Sequence, residues 1–245
     1  MKALILAAGY GTRLYPLIKN TPKALLEVKG KPLINHILER IQSLPGLNEI
    51  LVVTNNKFFS HLSDWALKEQ KRCPCPMTVV NDGTQENDKR LGSVGDMAFV
   101  LEQKKISEDF FVIGGDNLFD FSLETLVTSA VSKPTAVTIG LYDIGNHESA
   151  KSFGVVTLDA QKRVVDFQEK PENPQSTLIA MCCYYFPKKT LGTIQQYLEA
   201  SHKTDRAGDY IKWLSEEIDV FGFKFSGKWY DIGNIESYHE AQKNF

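Results

Sequence analysis

From residue 3 to residue 131 the sequence switches repeatedly between two periodicities, and that alternation narrows the fold more than any other feature. Short apolar runs at 3–8, 49–54, 77–80 and 110–113 read as buried strands. Between them lie segments of helical period. Leu33, Ile34, Ile37, Leu38, Ile41 and Leu44 share one helical face, with Pro32 in the first turn and Pro45-Gly46 as the stop. Residues 58–67, 94–103 and 123–131 repeat the pattern. Strands alternating with helices predict an α/β protein, a Rossmann-like three-layer arrangement of a mostly parallel sheet with helices on both faces.

The second half changes character. Residues 136–142, 154–158, 164–169 and 179–186 read as strands with few helices between them, and 159–162 as a hairpin turn. Helices are expected at 190–199, 210–218 and 235–243, a strand at 220–225 and a short element at 229–233. This half predicts an antiparallel lobe inserted into the α/β body. With no repeat and no linker, residues 1–245 form one domain with halves 1–135 and 136–245, long enough to bury a substantial core. A net charge of −2 argues against nucleic acid and acidic membrane surfaces as partners. No apolar run approaches the roughly 20 residues of a membrane span. The apolar start is cut short by Arg13, which argues for a first core strand over a signal peptide. Four cysteines, arranged as Cys73-Pro74-Cys75 and Cys182-Cys183, make a poor disulfide framework and no zinc motif, so a reduced, cytoplasmic protein is expected. His36, His61, His147, His202 and His239 have no ligand-like spacing and read as surface or structural.

The first strand runs into Gly9 and Gly11, with Arg13 and Lys23 beyond. Bare backbone N–H groups beside two cations suit a phosphate-rich ligand. Leu14 occupies the third position of a dinucleotide fingerprint, and no Gly-Lys-Ser/Thr follows, so neither a Rossmann dehydrogenase nor a Walker loop fits. In a parallel α/β sheet ligands bind beyond the carboxyl ends of strands. The glycine loop, Asp116 and the polar stretch 81–92 all fall at such ends and are expected to converge on one crevice.

The run Gly9-Tyr10-Gly11-Thr12-Arg13-Leu14-Tyr15-Pro16 followed by Pro22-Lys23 resembles the signature of sugar-1-phosphate nucleotidylyltransferases. The likeness continues, in the family's order, at Gly115-Asp116-Asn117, Phe153-Gly154-Val155, Glu169-Lys170-Pro171 and Trp229-Tyr230-Asp231-Ile232-Gly233. It implies the nucleotide-diphospho-sugar transferase fold and transfer of a nucleotidyl group from a nucleoside triphosphate to a sugar 1-phosphate, with release of pyrophosphate. On this resemblance residues 1–135 are the nucleotide-binding half and 136–245 the sugar-phosphate half. Ala8, Gly9, Gly11 and Thr12 wrap the triphosphate; Arg13 and Lys23 act on the β/γ- and α-phosphates. Asp116 and Asp231 hold Mg2+, and Gly154, Glu169 and Lys170 contact the sugar 1-phosphate. Asn81 and Gly92 stand where relatives read the base, but the segment between them is longer and more polar, which leaves the base open. Cys182 stands where relatives carry a glycine beside the sugar, which leaves the sugar open. The oligomeric state, monomer or homo-oligomer, is also open. Two other readings remain: a cytidylyltransferase for phosphocholine or a similar amino-alcohol phosphate, and an inactive nucleotide-sugar sensor or scaffold.

Overall fold

The computed structural model describes residues 1–201 and 206–245; His202 lies outside them. In chain order the elements are β1 (Lys2–Leu6), β2 (Glu27–Val28), β3 (Lys31–Pro32), α1 (Leu33–Ile41), β4 (Glu49–Thr54), α2 (Phe59–Glu69), β5 (Met77–Asn81), α3 (Gly92–Gln103), β6 (Phe110–Gly114), β7 (Asn117–Phe119) and α4 (Glu124–Val131). The second half holds β8 (Val137–Asp143), α5 (His147–Ala150), β9 (Gly154–Leu158), β10 (Val164–Glu169), β11 (Leu178–Phe186), α6 (Gly192–Ser201), α7 (Ala207–Glu217), β12 (Val220–Lys224), β13 (Trp229–Asp231) and α8 (Ile235–Asn244). No described helix is long and apolar enough to cross a membrane.

Strands β5, β4, β1 and β6 lie side by side and parallel, in that order. Leu6 is in register with Val53 on one side and Gly114 on the other, so the carboxyl ends of β1, β4 and β6 finish at one level. Alternate side chains of β1 enter opposite layers: Ala3 and Ile5 pack with Ile34 and Ile37 of α1 and Leu126 of α4, whereas Leu4 packs with Val94 and Met97 of α3. Helices therefore cover both faces, which a parallel sheet requires to keep its two apolar surfaces from water.

The antiparallel lobe joins through β11. One edge of β11 pairs with β8; the other pairs first with β9 at Ile179 and Ala180, then with β6 from Cys183 onward. The β8 register shifts between Ala180 and Tyr184, an irregularity of the kind that re-aims side chains. Cys183 points into the core and Cys182 toward the crevice, so only Cys183 is a plain packing residue. Three short elements have no counterpart in the sequence reading: the β2–β3 hairpin, α5, and β7, which pairs with β13 as a two-stranded ribbon. The imidazoles of His36 and His147 bond the backbone carbonyls of Val28 and Pro174, both at 3.0 Å, as structural histidines do.

Candidate functional site

Beyond Leu6 the chain leaves the sheet and becomes the glycine loop. The Asn55 amide, fully buried, donates to the Ala8 carbonyl at 2.8 Å and fixes the loop from β4. Gly11 has φ +60°, and a Cβ there would stand 2.3 Å from Ile18 Cδ1, so only glycine fits. Gly9 differs: nothing lies within 4 Å of where its Cβ would be, because that side faces open cavity. A 3-10 turn over Thr12–Leu14 follows, and a second opens at Lys23.

These groups line a cavity of about 540 Å³. Arg13, Lys23, Arg90, Lys170 and Arg206 bring five cationic side chains to it, against the carboxylate of Asp116. A second cavity of about 290 Å³ shares Asp116, Lys170 and Arg206 with the first and extends to Gly154, Glu169, Cys182, Trp229 and Asp231. A smaller annex of about 170 Å³ opens beside Ala8, Gly9, Gly92 and Asp96. The first cavity and its two neighbours thus surround a wall of cations at the carboxyl ends of the parallel strands.

The ribbon of β7 and β13 joins the two aspartates. Asp231 is in register with Asn117, and the Ile232 N–H donates to the Asp116 carbonyl at 3.0 Å. Asn117, 2% exposed, cross-braces the ribbon: it accepts from Trp229 Nε1 at 2.7 Å and donates to the Gly114 carbonyl at 3.1 Å. Lys23 Nζ lies 2.9 Å from Asp116 Oδ2. Burial would raise the Asp116 carboxyl, but the charge and hydrogen bond of Lys23, helped by Arg13, hold it below the usual carboxylate range. Asp231 goes the other way. Burial and then the charge of Asp116 push it up to about 6, against Lys23, Arg13 and Lys170. Two adjacent carboxylates with displaced pKa values are oxygen donors of the kind that could hold a hard divalent cation.

Glu169 ends β10 and sits against α7. A Cβ on Gly208 would stand 1.9 Å from its Oε2, so the missing side chain of Gly208 is the space the carboxylate occupies. Burial raises the Glu169 carboxyl, opposed by Lys170 and Arg206. Lys170 adopts φ +48°, a left-handed conformation uncommon in lysine, and its N–H donates to the Phe153 carbonyl at 3.0 Å. Gly154 admits the neighbouring ring: a Cβ there would stand 2.4 Å from Phe167 Cζ. Cys182 is pushed up to about 12 by burial and by Asp116, which keeps it a neutral thiol.

Of the residues singled out in the sequence, Gly9, Gly11, Thr12, Arg13, Lys23, Asp116 and Lys170 line the large cavity, Gly154, Glu169 and Asp231 the second, and Ala8 and Gly92 the annex. Asn81 lines none of the three; its amide donates to Asn56 Oδ1 and its carbonyl accepts from the Gly83 N–H, both at 2.9 Å. Sequence reasoning missed Arg90, Arg206, Gly208 and Asp96. The first two are single arginines in polar stretches, where charge alone carries no positional signal.

The sequence profile of a family described as nucleotidyl transferase matches residues 2–245. Over 248 residues the chain is 32% identical to the bifunctional protein GlmU of Methanocaldococcus jannaschii, covering 99% of this chain and 54% of that protein. It is 27% identical to the glucose-1-phosphate adenylyltransferase of Fusobacterium nucleatum, covering 98% of this chain and 65% of the relative. The chain therefore spans between half and two thirds of these relatives. A solved structure from Bacillus anthracis, assigned as a glucose-1-phosphate thymidylyltransferase and crystallised with sucrose, superposes with a TM-score of 0.86 at 23% identity, covering 99% of this chain and 94% of its own. At that identity the likeness establishes the fold, that of nucleotide-diphospho-sugar transferases.

Proposed function

The chain belongs to the nucleotidyl transferase family, and from that premise we propose that it joins a nucleoside triphosphate to a sugar 1-phosphate, releasing pyrophosphate. The observation that carries this reading is the wall shared by two cavities. Asp116, Lys170 and Arg206 border both, so a polyphosphate in one and a phosphate in the other meet across a single cationic seam. Residues 1–135 supply the glycine loop and the annex; residues 136–245 supply most of the second cavity.

The reaction needs no general base. The second pKa of a phosphate monoester is about 6, so the attacking oxygen is already anionic near neutrality. That oxygen forms a bond to the α-phosphorus while the bond from the α-phosphorus to the bridging oxygen breaks, and pyrophosphate leaves with the electron pair. The protein's work is alignment and charge neutralisation. Gly9, Gly11 and Thr12 offer backbone donors to the triphosphate. Arg13 takes the β- and γ-phosphates and stabilises the departing charge. Lys23 leaves Asp116 for the α-phosphate. Lys170 and Arg206 hold the sugar phosphate, and Glu169 accepts from sugar hydroxyls.

Asp116 and Asp231 would hold Mg2+, and the fit rests on two acidic side chains brought together by the ribbon: Asp231 is pushed up by burial and then by the charge of Asp116, a conflict that a divalent cation relieves. When bound, the ion supplies charge neutralisation at the phosphates.

The test is pyrophosphate release over a matrix of the common nucleoside triphosphates against sugar 1-phosphates, with and without Mg2+. Release is expected only with both substrates present. Absence of release with every sugar 1-phosphate would refute the reading. Phosphocholine belongs in the matrix, because Phe153, Phe167, Tyr184 and Trp229 also line the second cavity and aromatic faces attract quaternary ammonium groups. Turnover with phosphocholine in place of a sugar 1-phosphate would move the assignment to the amino-alcohol class.

A further inference from the structure

The stretch between β5 and α3 begins at Asp82, and Asp96 lies in α3 shortly past its end. Both carboxyls are buried, at 8% and 5% exposure. Asp82 Oδ1 accepts from the Thr84 N–H and from Thr84 Oγ1, each at 2.7 Å. Asp82 Oδ2 and Asp96 Oδ1, by contrast, are buried oxygens with no donor among the described residues. Two such atoms left as bare acceptors would each cost the desolvation of a polar group. One proton between them removes both deficits. Its place follows from the donors. Thr84 already directs two N–H or O–H groups at Asp82, which makes Asp82 the ionised partner and Asp96 the acid.

The arrangement extends to the glycine loop. Tyr10, between Gly9 and Gly11, donates its hydroxyl to Thr84 Oγ1 at 3.5 Å. The chain of donors therefore runs from Tyr10 to Thr84 to Asp82, met from the other side by Asp96. It links the glycine loop, the 82–91 segment and α3, the three parts that enclose the annex.

We propose that Asp96 and Asp82 share a single proton as an acid–carboxylate clamp that holds the 82–91 segment closed and so positions the annex, which on the function proposed above receives the base of the nucleotide. Asp82 and Asp96 act through backbone placement and are positioning residues. Among the described residues, Thr84 and the two carboxyls themselves act on the pair. Glu86 and Asp88 on the same segment and Asp82 itself act on Tyr10, whose hydroxyl is raised chiefly by burial. Arg90 shares the annex with Asp96. Asp96 is pushed up to about 8 by burial, then by the charge of Asp82 and the hydrogen bond to it, and Asp82 is raised by burial.

The sign of the pH dependence follows. Opened to water, Asp96 titrates near 3.9; clamped, near 8. Closing therefore takes up a proton across that interval, and the closed-to-open ratio falls about tenfold for each unit of rising pH until about 8, after which the fall stops. Hydrogen exchange on the free protein reads this directly. After correction for the intrinsic rate, protection of the Thr84 amide should fall about tenfold per unit between pH 6 and 7.5 in the wild type. Asp96→Asn keeps a donor for Asp82 but cannot titrate, so its protection should be flat. A flat wild-type profile, or an equal slope in Asp96→Asn, overturns the proposal. Asp96→Ala leaves Asp82 ionised without its partner. The KM for the triphosphate should rise about tenfold in Asp96→Ala and recover toward the wild-type value in Asp96→Asn; equal impairment of the two also overturns it. The exchange comparison uses no substrate. A chain that releases no pyrophosphate would defeat the proposed function while the exchange profiles still decide the clamp.

Discussion

Gly208→Ala is an uncommon substitution, because the helix should welcome it and the site should not. Gly208 is the second residue of α7, and alanine in place of glycine inside a helix ordinarily gains roughly 0.5–1 kcal/mol. The new Cβ would stand 1.9 Å from Glu169 Oε2 and 2.6 Å from its Cδ, so two atoms cannot share that place. The obstructing group is the tip of a long side chain, which can swing away at the cost of a rotamer change of order 0.5–1.5 kcal/mol. The two contributions nearly cancel, so the melting temperature should barely move. What is lost is the carboxylate's position over the second cavity. A hydrogen bond to a charged group is worth about 1.5–3 kcal/mol, which corresponds to roughly a ten- to hundredfold fall in kcat/KM for the sugar 1-phosphate. The KM for the triphosphate should stay within about twofold, because Gly208 lines only the second cavity. Steady-state kinetics with each substrate varied in turn gives both numbers. Glu169→Ala should produce a similar loss, and the double variant little more than either, because both changes remove one interaction. Additive losses in the double variant, or an equal rise in both KM values, would refute the claim that Gly208 exists to seat Glu169.

Gly9→Val should fold normally, since its Cβ meets nothing within 4 Å, yet fill the cavity and raise the KM for the triphosphate at least tenfold; an unchanged KM would remove the glycine loop from the site. Arg13→Ala should cost about 2–4 kcal/mol of transition-state stabilisation, the loss found for one preorganised donor, read as kcat/KM for pyrophosphate release. Asp116→Ala and Asp231→Ala should both abolish turnover, but with opposite effects on the fold. The first strands Lys23, whose side chain is only 16% exposed, and should lower the melting temperature. The second removes the carboxyl that burial, and then the charge of Asp116, hold up at about 6. That group makes the ligand-free protein less stable as pH rises from about 4 toward 6, so Asp231→Ala should melt higher than wild type at pH 7 and converge on it near pH 4. Equal melting temperatures for wild type and Asp231→Ala at pH 7 would contradict this.

The elements legible in the sequence are those whose cause is local. Glu49–Thr54, Gly154–Leu158 and Val164–Glu169 carry their strand signal within their own residues, and the observed ranges coincide with the expected ones. The β2–β3 hairpin turns on Lys29 and Gly30, both at positive φ. Gly30 is a familiar turn residue, but a lysine in the left-handed region announces nothing. The β7–β13 ribbon is hidden for another reason. Each strand has three residues, and the brace between Asn117 and Trp229 spans 112 positions. No window of the sequence contains the fact that brings Asp116 and Asp231 together; only the ordered blocks of the family resemblance pointed to it. Asn81 shows the converse limit. The family resemblance put a base-reading residue at its place after β5, yet its side-chain amide donates to Asn56 Oδ1 and its side-chain oxygen accepts from the Gly83 N–H two residues on, a local turn contact that the resemblance does not carry. Gly208 and Asp96 break the local rules of their own helices, a glycine in the first turn of α7 and a buried acid inside α3. Both become intelligible only when the partner across space is known, which is why a site accumulates residues that local propensity would reject. In this chain the violations share a direction: each surrenders helix stability or solvation to fix a carboxylate or a loop at the rim of the crevice.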